Sequence, residues 1–186
     1  MKNINDYIIT LDNVLTPSLC DAILAEYAAT DEWQQTVVGS GETRLDIRSA
    51  KTIQMSQDYV LQKNYDVRKK LDAYVFASVG DAIRRYNEKF VHCRIEEDSG
   101  YELLRYETGQ FYTQHTDSFK ARPRAVSCSL NLNDDYKGGE FAFFDREIVL
   151  KAPKGSAILF PSNFMYPHEI MPVTSGTRYS IITWFI

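Results

Sequence analysis

The 186-residue chain has the length of one domain, with 44% hydrophobic and 25% charged residues, an ordinary composition for a globular protein. A formal net charge of −4 without lysine- or arginine-rich blocks gives no general attraction for phosphate backbones, so we expect no nucleic-acid partner. Three widely separated cysteines argue against a disulfide framework and against a zinc cluster.

The first fifteen residues, MKNINDYIITLDNVL, are too polar for a signal peptide. No apolar run approaches the roughly 18 residues that a membrane helix needs. We therefore expect a cytoplasmic protein without a membrane partner, and the sequence leaves its oligomeric state open.

Helical patterns dominate the first half of the chain. Residues 7–15 predict a strand that leads into a helix, which starts at Thr16-Pro17 because threonine can cap and proline presets φ for the first turn. A second helix is predicted at about residues 67–86, where an apolar residue recurs at every fourth position: Leu71, Val75, Val79 and Ile83. Between the helices, residues 39–51 are polar and contain glycine, so we expect a long exposed loop.

Strand patterns dominate after Val91. Short runs of β-branched, aromatic and leucine residues are separated by turn signals roughly every 8–12 residues, which is typical of a β-sandwich or jelly roll. We predict one domain over residues 1–186. In it, a helical support over about residues 1–90 packs on one face of a β core over about residues 91–186.

One histidine has a carboxylate at metal-binding spacing. The chain has three histidines, and His115 lies two residues before Asp117. Residues i and i+2 of a strand point to the same side, so the two side chains could face one metal. Two histidines and one carboxylate form the facial triad of non-haem Fe(II) oxygenases, and His168 could complete it. The alternative is a surface histidine beside a surface aspartate.

The C-terminal segment carries an arginine on an apolar strand. Residues 168–173 predict a strand, Ser175-Gly176 a turn, and residues 177–186 a final strand. Alternation then places four residues on one face: Arg178, Ser180, Ile182 and Trp184. A buried Arg178 needs an anionic partner, and its planar fork suits a carboxylate ligand, to which Ser180 could add a bond. The alternative is an arginine at a solvated strand edge.

Four stretches carry a family resemblance: LLRYETGQFYTQHTDSF at 103–119, GGEF at 138–141, PKGSAILFPS at 153–162 and HEIMPVTSGTRYSIITW at 168–184. Together they resemble the prolyl 4-hydroxylase-type 2-oxoglutarate oxygenases. The first is similar to that family's block Y-x-x-G-x-x-Y-x-x-H-x-D. The resemblance implies a mainly β fold, a double-stranded β-helix (cupin-like jelly roll) with N-terminal helices on the major sheet.

The resemblance also implies the roles of individual residues. Iron would be held by His115, Asp117 and His168, and Arg178 would bind the distal carboxylate of 2-oxoglutarate. Tyr106 would hydrogen-bond this cosubstrate. Collagen-type members carry a lysine where this chain has Arg178, so the subfamily stays open.

Substrate contacts follow from the same resemblance. Tyr112 would line the pocket near iron, Trp184 would lie on the last strand near the substrate, and Arg48 belongs to a segment similar to the family's mobile substrate loop. For Tyr112 the alternative is a packed tyrosine, and for Arg48 a solvated loop arginine.

The implied reaction couples oxidative decarboxylation of 2-oxoglutarate by O₂ to hydroxylation of an unactivated C–H bond, with ascorbate as reductant. The leading substrate is a prolyl residue of a protein or peptide. The alternatives are an oxygenase of a free amino acid or other small molecule, and a non-catalytic β-barrel binding module. Nucleic-acid demethylation is disfavoured, because such enzymes carry a second arginine where this chain has Trp184.

Overall fold

Strands from both halves of the chain build the core. The computed structural model describes residues 3–39, 41–56, 64–95, 97–121 and 123–186. Within these residues, seven strands form a large antiparallel sheet, in the order β1 (Ile9–Leu11), β10 (Ala157–Pro161), β6 (Val126–Asn131), β13 (Thr177–Phe185), β4 (Glu102–Glu107), β3 (Lys51–Gln54) and β2 (Gln34–Gln35).

A smaller antiparallel sheet faces the large one. Its described strands are, in order, β5 (Tyr112–His115), β11 (His168–Ile170), β8 (Phe141–Phe143) and β9 (Ile148–Leu150). A separate pair joins β12 (Val173–Ser175) to β7 (Lys137–Gly138). This arrangement is the predicted mainly β architecture, although β1, β2 and β3 of the first half also join the large sheet.

In the described part of the chain, two α-helices pack against the strands, α1 (Pro17–Tyr27) and α2 (Tyr65–Lys89), after a short 3-10 helix at Ile4–Tyr7. The side chain of Thr16 accepts a hydrogen bond from the Leu19 amide at 3.2 Å, so the predicted N-cap is confirmed. The predicted apolar stripe of α2 is buried: Leu71, Val75, Val79 and Ile83. Neither described helix is long and apolar enough to cross a membrane.

Alternation along the strands separates two hydrophobic clusters. Leu103 and Ile181 pack with the buried faces of α1 and α2, on the outer side of the large sheet. Their chain neighbours Leu104 and Ile182 pack between the two sheets, together with aromatic residues such as Phe143. Successive residues of a strand point to opposite faces, so one strand serves both clusters. The inner side of the large sheet also carries the polar residues described below.

Two sequence expectations require correction. The strand predicted over residues 168–173 is interrupted, because β11 ends at Ile170 and Val173 starts a new strand paired with β7. Pro172 has no amide hydrogen for a ladder, and its carbonyl accepts instead from Gly139 at 3.1 Å.

The segment 39–51 is exposed only in its first part. Arg48 is buried, because the segment is hydrogen-bonded to the chain around β5: Thr113 donates to Ile47 at 2.9 Å, and Ser49 donates to Phe111 at 3.1 Å.

Candidate active site

A cross-strand histidine pair forms the centre of the site. The antiparallel pairing of β5 and β11 sets His115 directly opposite His168. Side chains at opposed positions of an antiparallel pair lie close together, and these two rings have centroids 4.3 Å apart. Strand pairing therefore brings His115 and His168 close together, although they are 53 residues apart in the sequence.

Both histidines are oriented by backbone carbonyls. Nδ1 of His115 lies 2.9 Å from the Thr113 oxygen, and Nδ1 of His168 lies 3.0 Å from the Tyr166 oxygen. A carbonyl oxygen only accepts, so each Nδ1 carries the proton and each Nε2 presents a lone pair. This is the orientation in which a histidine binds a metal through Nε2.

Asp117 lies between the two Nε2 atoms. Its Oδ1 is 3.4 Å from Nε2 of His115, and its Oδ2 is 3.6 Å from Nε2 of His168. The three candidate ligand atoms all lie within 4.8 Å of one another. When both imidazoles are neutral, two lone pairs and a carboxylate converge, and this donor set fits Fe(II).

Asp117 does not lie on the strand where the sequence places it. β5 ends at His115, and Asp117 follows in a bend. Its carbonyl accepts from Nη1 of Arg124 at 3.0 Å, and the next amide, of Ser118, donates to the Ser162 carbonyl at 2.9 Å. The side chain therefore converges with His115 through a bend fixed by side-chain and loop hydrogen bonds.

The ionisation states suit metal binding. Burial alone would raise the pKa of the Asp117 carboxyl, but the positive charge of His168 and His115 in their protonated forms, with hydrogen bonds from His115 and Ser127, outweighs burial and holds this pKa well below its usual range. Burial lowers the pKa of His168 to about 4, although Asp117 opposes this shift. At neutral pH the carboxylate is charged and the His168 imidazole is neutral, and these are the forms that bind a metal.

Arg178 points into the same cavity. It is only 4% exposed, its Nη1 donates to Oγ of Ser180 at 2.9 Å, and its guanidinium carbon lies 5.4 Å from the centroid of the Tyr106 ring. Among the described residues, no carboxylate forms an ion pair with Arg178. A buried cation without a counterion is costly, so the position fits an anionic ligand. Burial raises the pKa of Tyr106, which keeps its hydroxyl neutral.

Tyr112 and Arg48 form one wall beside the histidines. The Tyr112 ring stacks on His115 with centroids 3.5 Å apart, and the guanidinium carbon of Arg48 lies 4.8 Å from the Tyr112 centroid. Nη2 of Arg48 is 3.6 Å from the Glu102 carboxylate, and its buried Nε has no hydrogen-bond partner in the described part of the chain. Arg48 is thus a cavity residue and not the solvated loop arginine that was the alternative.

Trp184 lines the cavity on the last strand, where the Arg124 guanidinium carbon lies 3.6 Å from its ring centroid. The cavity has a volume of about 1030 Å³ and is lined by all nine residues that the sequence singled out. They are Arg48, Tyr106, Tyr112, His115, Asp117, His168, Arg178, Ser180 and Trp184.

Sequence reasoning missed other residues of the site. Glu102 lines the cavity because it lies four residues before Tyr106 on β4, and alternation from Tyr106 could have found it. Arg124 and Ser127 gave no comparable signal, because neither stands in a distinctive motif. Their roles depend on contacts to Asp117 that only the folded chain creates.

Comparison with known proteins shows what the second half of the chain is similar to. Residues 101–186 match the family model described as the 2OG-Fe(II) oxygenase superfamily. The matched residues run from β4 to β13 and include all three candidate metal ligands. Over 95% of its length, the chain is 26% identical to a PKHD-type hydroxylase of Paraburkholderia phymatum and covers 77% of that relative. It is 34% identical to a PKHD-type hydroxylase of Rippkaea orientalis over 89 residues, which is 43% of the chain and 39% of the relative. The chain thus spans about two fifths of the first curated relatives that it matches.

Solved structures with the same fold include two prolyl hydroxylases. One is from Trichoplax adhaerens, in complex with a hypoxia inducible factor peptide fragment, with a TM-score of 0.79, 20% identity and coverage of 97% of this chain and 83% of that one. The other, a Pseudomonas putida prolyl-4-hydroxylase, has a TM-score of 0.73, 23% identity and coverage of 96% and 92%. The predicted jelly-roll fold is confirmed.

Proposed function

We propose that this chain is an Fe(II)- and 2-oxoglutarate-dependent dioxygenase that hydroxylates a prolyl residue of a protein or peptide. The observation that carries the proposal is the convergence of two Nε2 lone pairs and one buried carboxylate in the cavity that also holds Arg178. Kinship with PKHD-type hydroxylases supports the reaction class.

In this proposal His115, Asp117 and His168 hold Fe(II). Such a facial triad leaves three positions open for cosubstrate and O₂. Bound iron would supply the oxidising power for a reaction in which one atom of O₂ enters the C–H bond of the substrate and the other enters succinate, as 2-oxoglutarate loses CO₂. The chain itself orients the ligands through the carbonyls of Thr113 and Tyr166 and buries Asp117 and His168. Ascorbate is the proposed reductant.

We assign the cosubstrate's distal carboxylate to Arg178, with Ser180 and Tyr106 beside it. The guanidinium fork makes two parallel charge-assisted hydrogen bonds to a carboxylate. Ser180 already fixes one guanidinium nitrogen at 2.9 Å, which orients the fork before the ligand arrives. The absence of an ion pair for Arg178 within the described residues supports this assignment.

We assign substrate contact to Tyr112, Arg48 and Trp184. The cavity of about 1030 Å³ lies at the upper limit of small-molecule sites, which run to about 1,000 Å³. 2-Oxoglutarate occupies only the part beside Arg178, so the remaining space suits a peptide segment better than a free amino acid. The Trichoplax adhaerens neighbour is itself bound to a peptide fragment.

We also propose that residues 1–186 form one domain. Strands β1 and β3 of the first half pair with β10 and β4 of the second half inside one sheet. The cluster beneath the helices likewise takes residues from both halves.

The test compares matched substrates. Purified protein with Fe(II), 2-oxoglutarate and ascorbate is given a proline-containing peptide, the same peptide with alanine in place of proline, or free proline. We expect the proline peptide alone to stimulate succinate release and to gain the mass of one oxygen on proline. Stimulation by free proline alone would favour the small-molecule alternative. Succinate release that no proline compound stimulates would reject the prolyl substrate.

A further inference from the structure

The Asp117 carboxylate ends a buried chain of hydroxyl groups. Oγ of Ser127 lies 2.6 Å from Oδ2 of Asp117, and Oγ of Ser162 lies 2.8 Å from Oγ of Ser127. The two serines are 0% and 1% exposed. Neither serine lines the cavity, so Ser127 contacts the presumed ligand from behind and Ser162 in turn contacts Ser127.

The chemistry of the groups sets the direction of these hydrogen bonds. An ionised carboxylate only accepts, so the single proton of the Ser127 hydroxyl is donated to Asp117. The Ser162 hydroxyl must then donate to Ser127. The result is a one-way chain from Ser162 through Ser127 to Oδ2, and its last bond is charge-assisted and therefore the stronger one.

The backbone of Ser162 reinforces the same connection. Its amide donates to the Ala125 carbonyl at 3.0 Å, and its carbonyl accepts from the Ser118 amide at 2.9 Å. Ser162 thereby ties the residue after Asp117 to the start of β6, the strand that carries Ser127. Asp117 lies in a bend outside the strand ladder, so the position of its carboxylate depends largely on these hydrogen bonds.

We propose that Ser127 and Ser162 are positioning residues for the metal ligand Asp117. By occupying Oδ2, they leave Oδ1 as the oxygen that binds the metal, so that the carboxylate takes one coordination position and not two. This inference rests on the proposed function, because a carboxylate that bound through both oxygens would take a position that 2-oxoglutarate or O₂ requires.

The test measures Co(II) binding by visible absorption in the absence of 2-oxoglutarate. Removal of an outer-shell partner costs about 10–100-fold in metal affinity, so we expect a loss of that size for Ser127→Ala. The absorption bands of its Co(II) complex should also change, since a freed Oδ2 changes the coordination. Ser127→Thr keeps the hydroxyl and should restore the wild-type affinity and bands. Ser162→Ala, one bond further out, should weaken binding less.

The matched control is Thr183→Val. Thr183 is a fully buried hydroxyl residue on the neighbouring strand β13, and its Oγ1 has no hydrogen-bond partner among the residues described. This variant should bind Co(II) as the wild type does. Thermal unfolding of the metal-free variants checks that each one folds. If Ser127→Ala does not fold, Ser162→Ala and Ser127→Thr decide the question by the same readouts.

The possible results distinguish failure of the positioning role from failure of the proposed function. The positioning role would be overturned, and the proposed function left intact, if a folded Ser127→Ala protein bound Co(II) with wild-type affinity and unchanged bands. If Ser127→Ala does not fold, the same result in a folded Ser162→Ala protein would have the same meaning. A wild-type protein that does not bind Co(II) would overturn both. Weaker binding with altered bands, restored by Ser127→Thr, supports the inference.

Discussion

At the residue scale, Arg178 offers the sharpest test of cosubstrate binding. Arg178→Ala removes a buried fork that would make two charge-assisted hydrogen bonds, each worth about 1.5–3 kcal/mol. We expect the Kd for 2-oxoglutarate, measured calorimetrically with Mn(II) in place of iron, to rise by about 100-fold or more.

The control for this variant is Arg146→Ala. Arg146 is an exposed arginine paired with Glu169 at 2.6 Å on the far side of β11. Its removal should leave 2-oxoglutarate binding unchanged. Equal Kd values for Arg178→Ala and the wild type would mean that another group anchors the cosubstrate.

Residue placements were predictable where they follow from the period of a strand. Alternation alone set Arg178, Ser180 and Trp184 on one side of the last strand. The burial of Arg48 was not predictable, because it depends on hydrogen bonds from Thr113 to Ile47 and from Ser49 to Phe111, whose partners lie more than sixty residues apart in the chain. Small polar residues such as Ser127 give no sequence signal, since their role is set by a single partner.

At the element scale, Gly138 allows the close approach of β7 to β12. Its φ of +71° is left-handed, and a Cβ there would overlap the Pro172 carbonyl oxygen and the Thr174 amide. Gly138→Ala should lower the free energy of unfolding by about 2–4 kcal/mol in urea denaturation, since left-handed strain of about 1–2 kcal/mol is added to a backbone clash.

Gly109→Ala is the matched control. Gly109 also has a left-handed φ, of +88°, but no atom lies within 4 Å of its hypothetical Cβ. This variant should cost only the strain, about 1–2 kcal/mol. Equal losses in the two variants would show that the approach of β12 to β7 is not as tight as described.

Elements were predictable where one local pattern decides them. Helix α1 was predictable from its Thr16 cap and helix α2 from its apolar stripe, because caps and 3.6-residue periodicity depend only on nearby residues. The interruption of the strand after Ile170 was missed. Pro172 ends a strand only where its missing amide hydrogen would have bonded to a neighbouring strand, and the sequence does not show which positions face a neighbour. The bend at Asp117 was missed for a related reason. Spacing of two residues suggests a strand, but here hydrogen bonds to Arg124 and Ser162 fix the chain.

At the scale of the whole molecule, metal binding should stabilise the fold. A ligand at 100 times its Kd adds about 2.7 kcal/mol, which for a chain of this size raises Tm by about 5–10 °C. We expect Mn(II) to produce this shift in the wild type, measured by thermal unfolding, and not in His168→Ala. His92→Ala removes an exposed histidine away from the triad and should keep the shift. An equal shift in His168→Ala would place the metal elsewhere.

The fold class was predictable from the cadence of strands and turns, and the family from four motifs. The strand pairing that brings His115 opposite His168 was not predictable, because the register between distant strands is a property of the assembled sheet. The motif resemblance, and not periodicity, linked these residues in the sequence. A strand was predicted where β1 lies, but its pairing with β10 was hidden for the same reason, and β3 left too short a pattern to be predicted at all.

The central claim is that the triad makes this protein an iron-dependent consumer of 2-oxoglutarate. The most direct measurement is succinate formation from 2-oxoglutarate with and without added Fe(II), in the wild type, in His115→Ala and in the control His92→Ala. We expect iron-dependent succinate formation in the wild type and in His92→Ala, and its loss in a folded His115→Ala protein. Undiminished succinate formation in His115→Ala, or none in the iron-loaded wild type, would contradict the account.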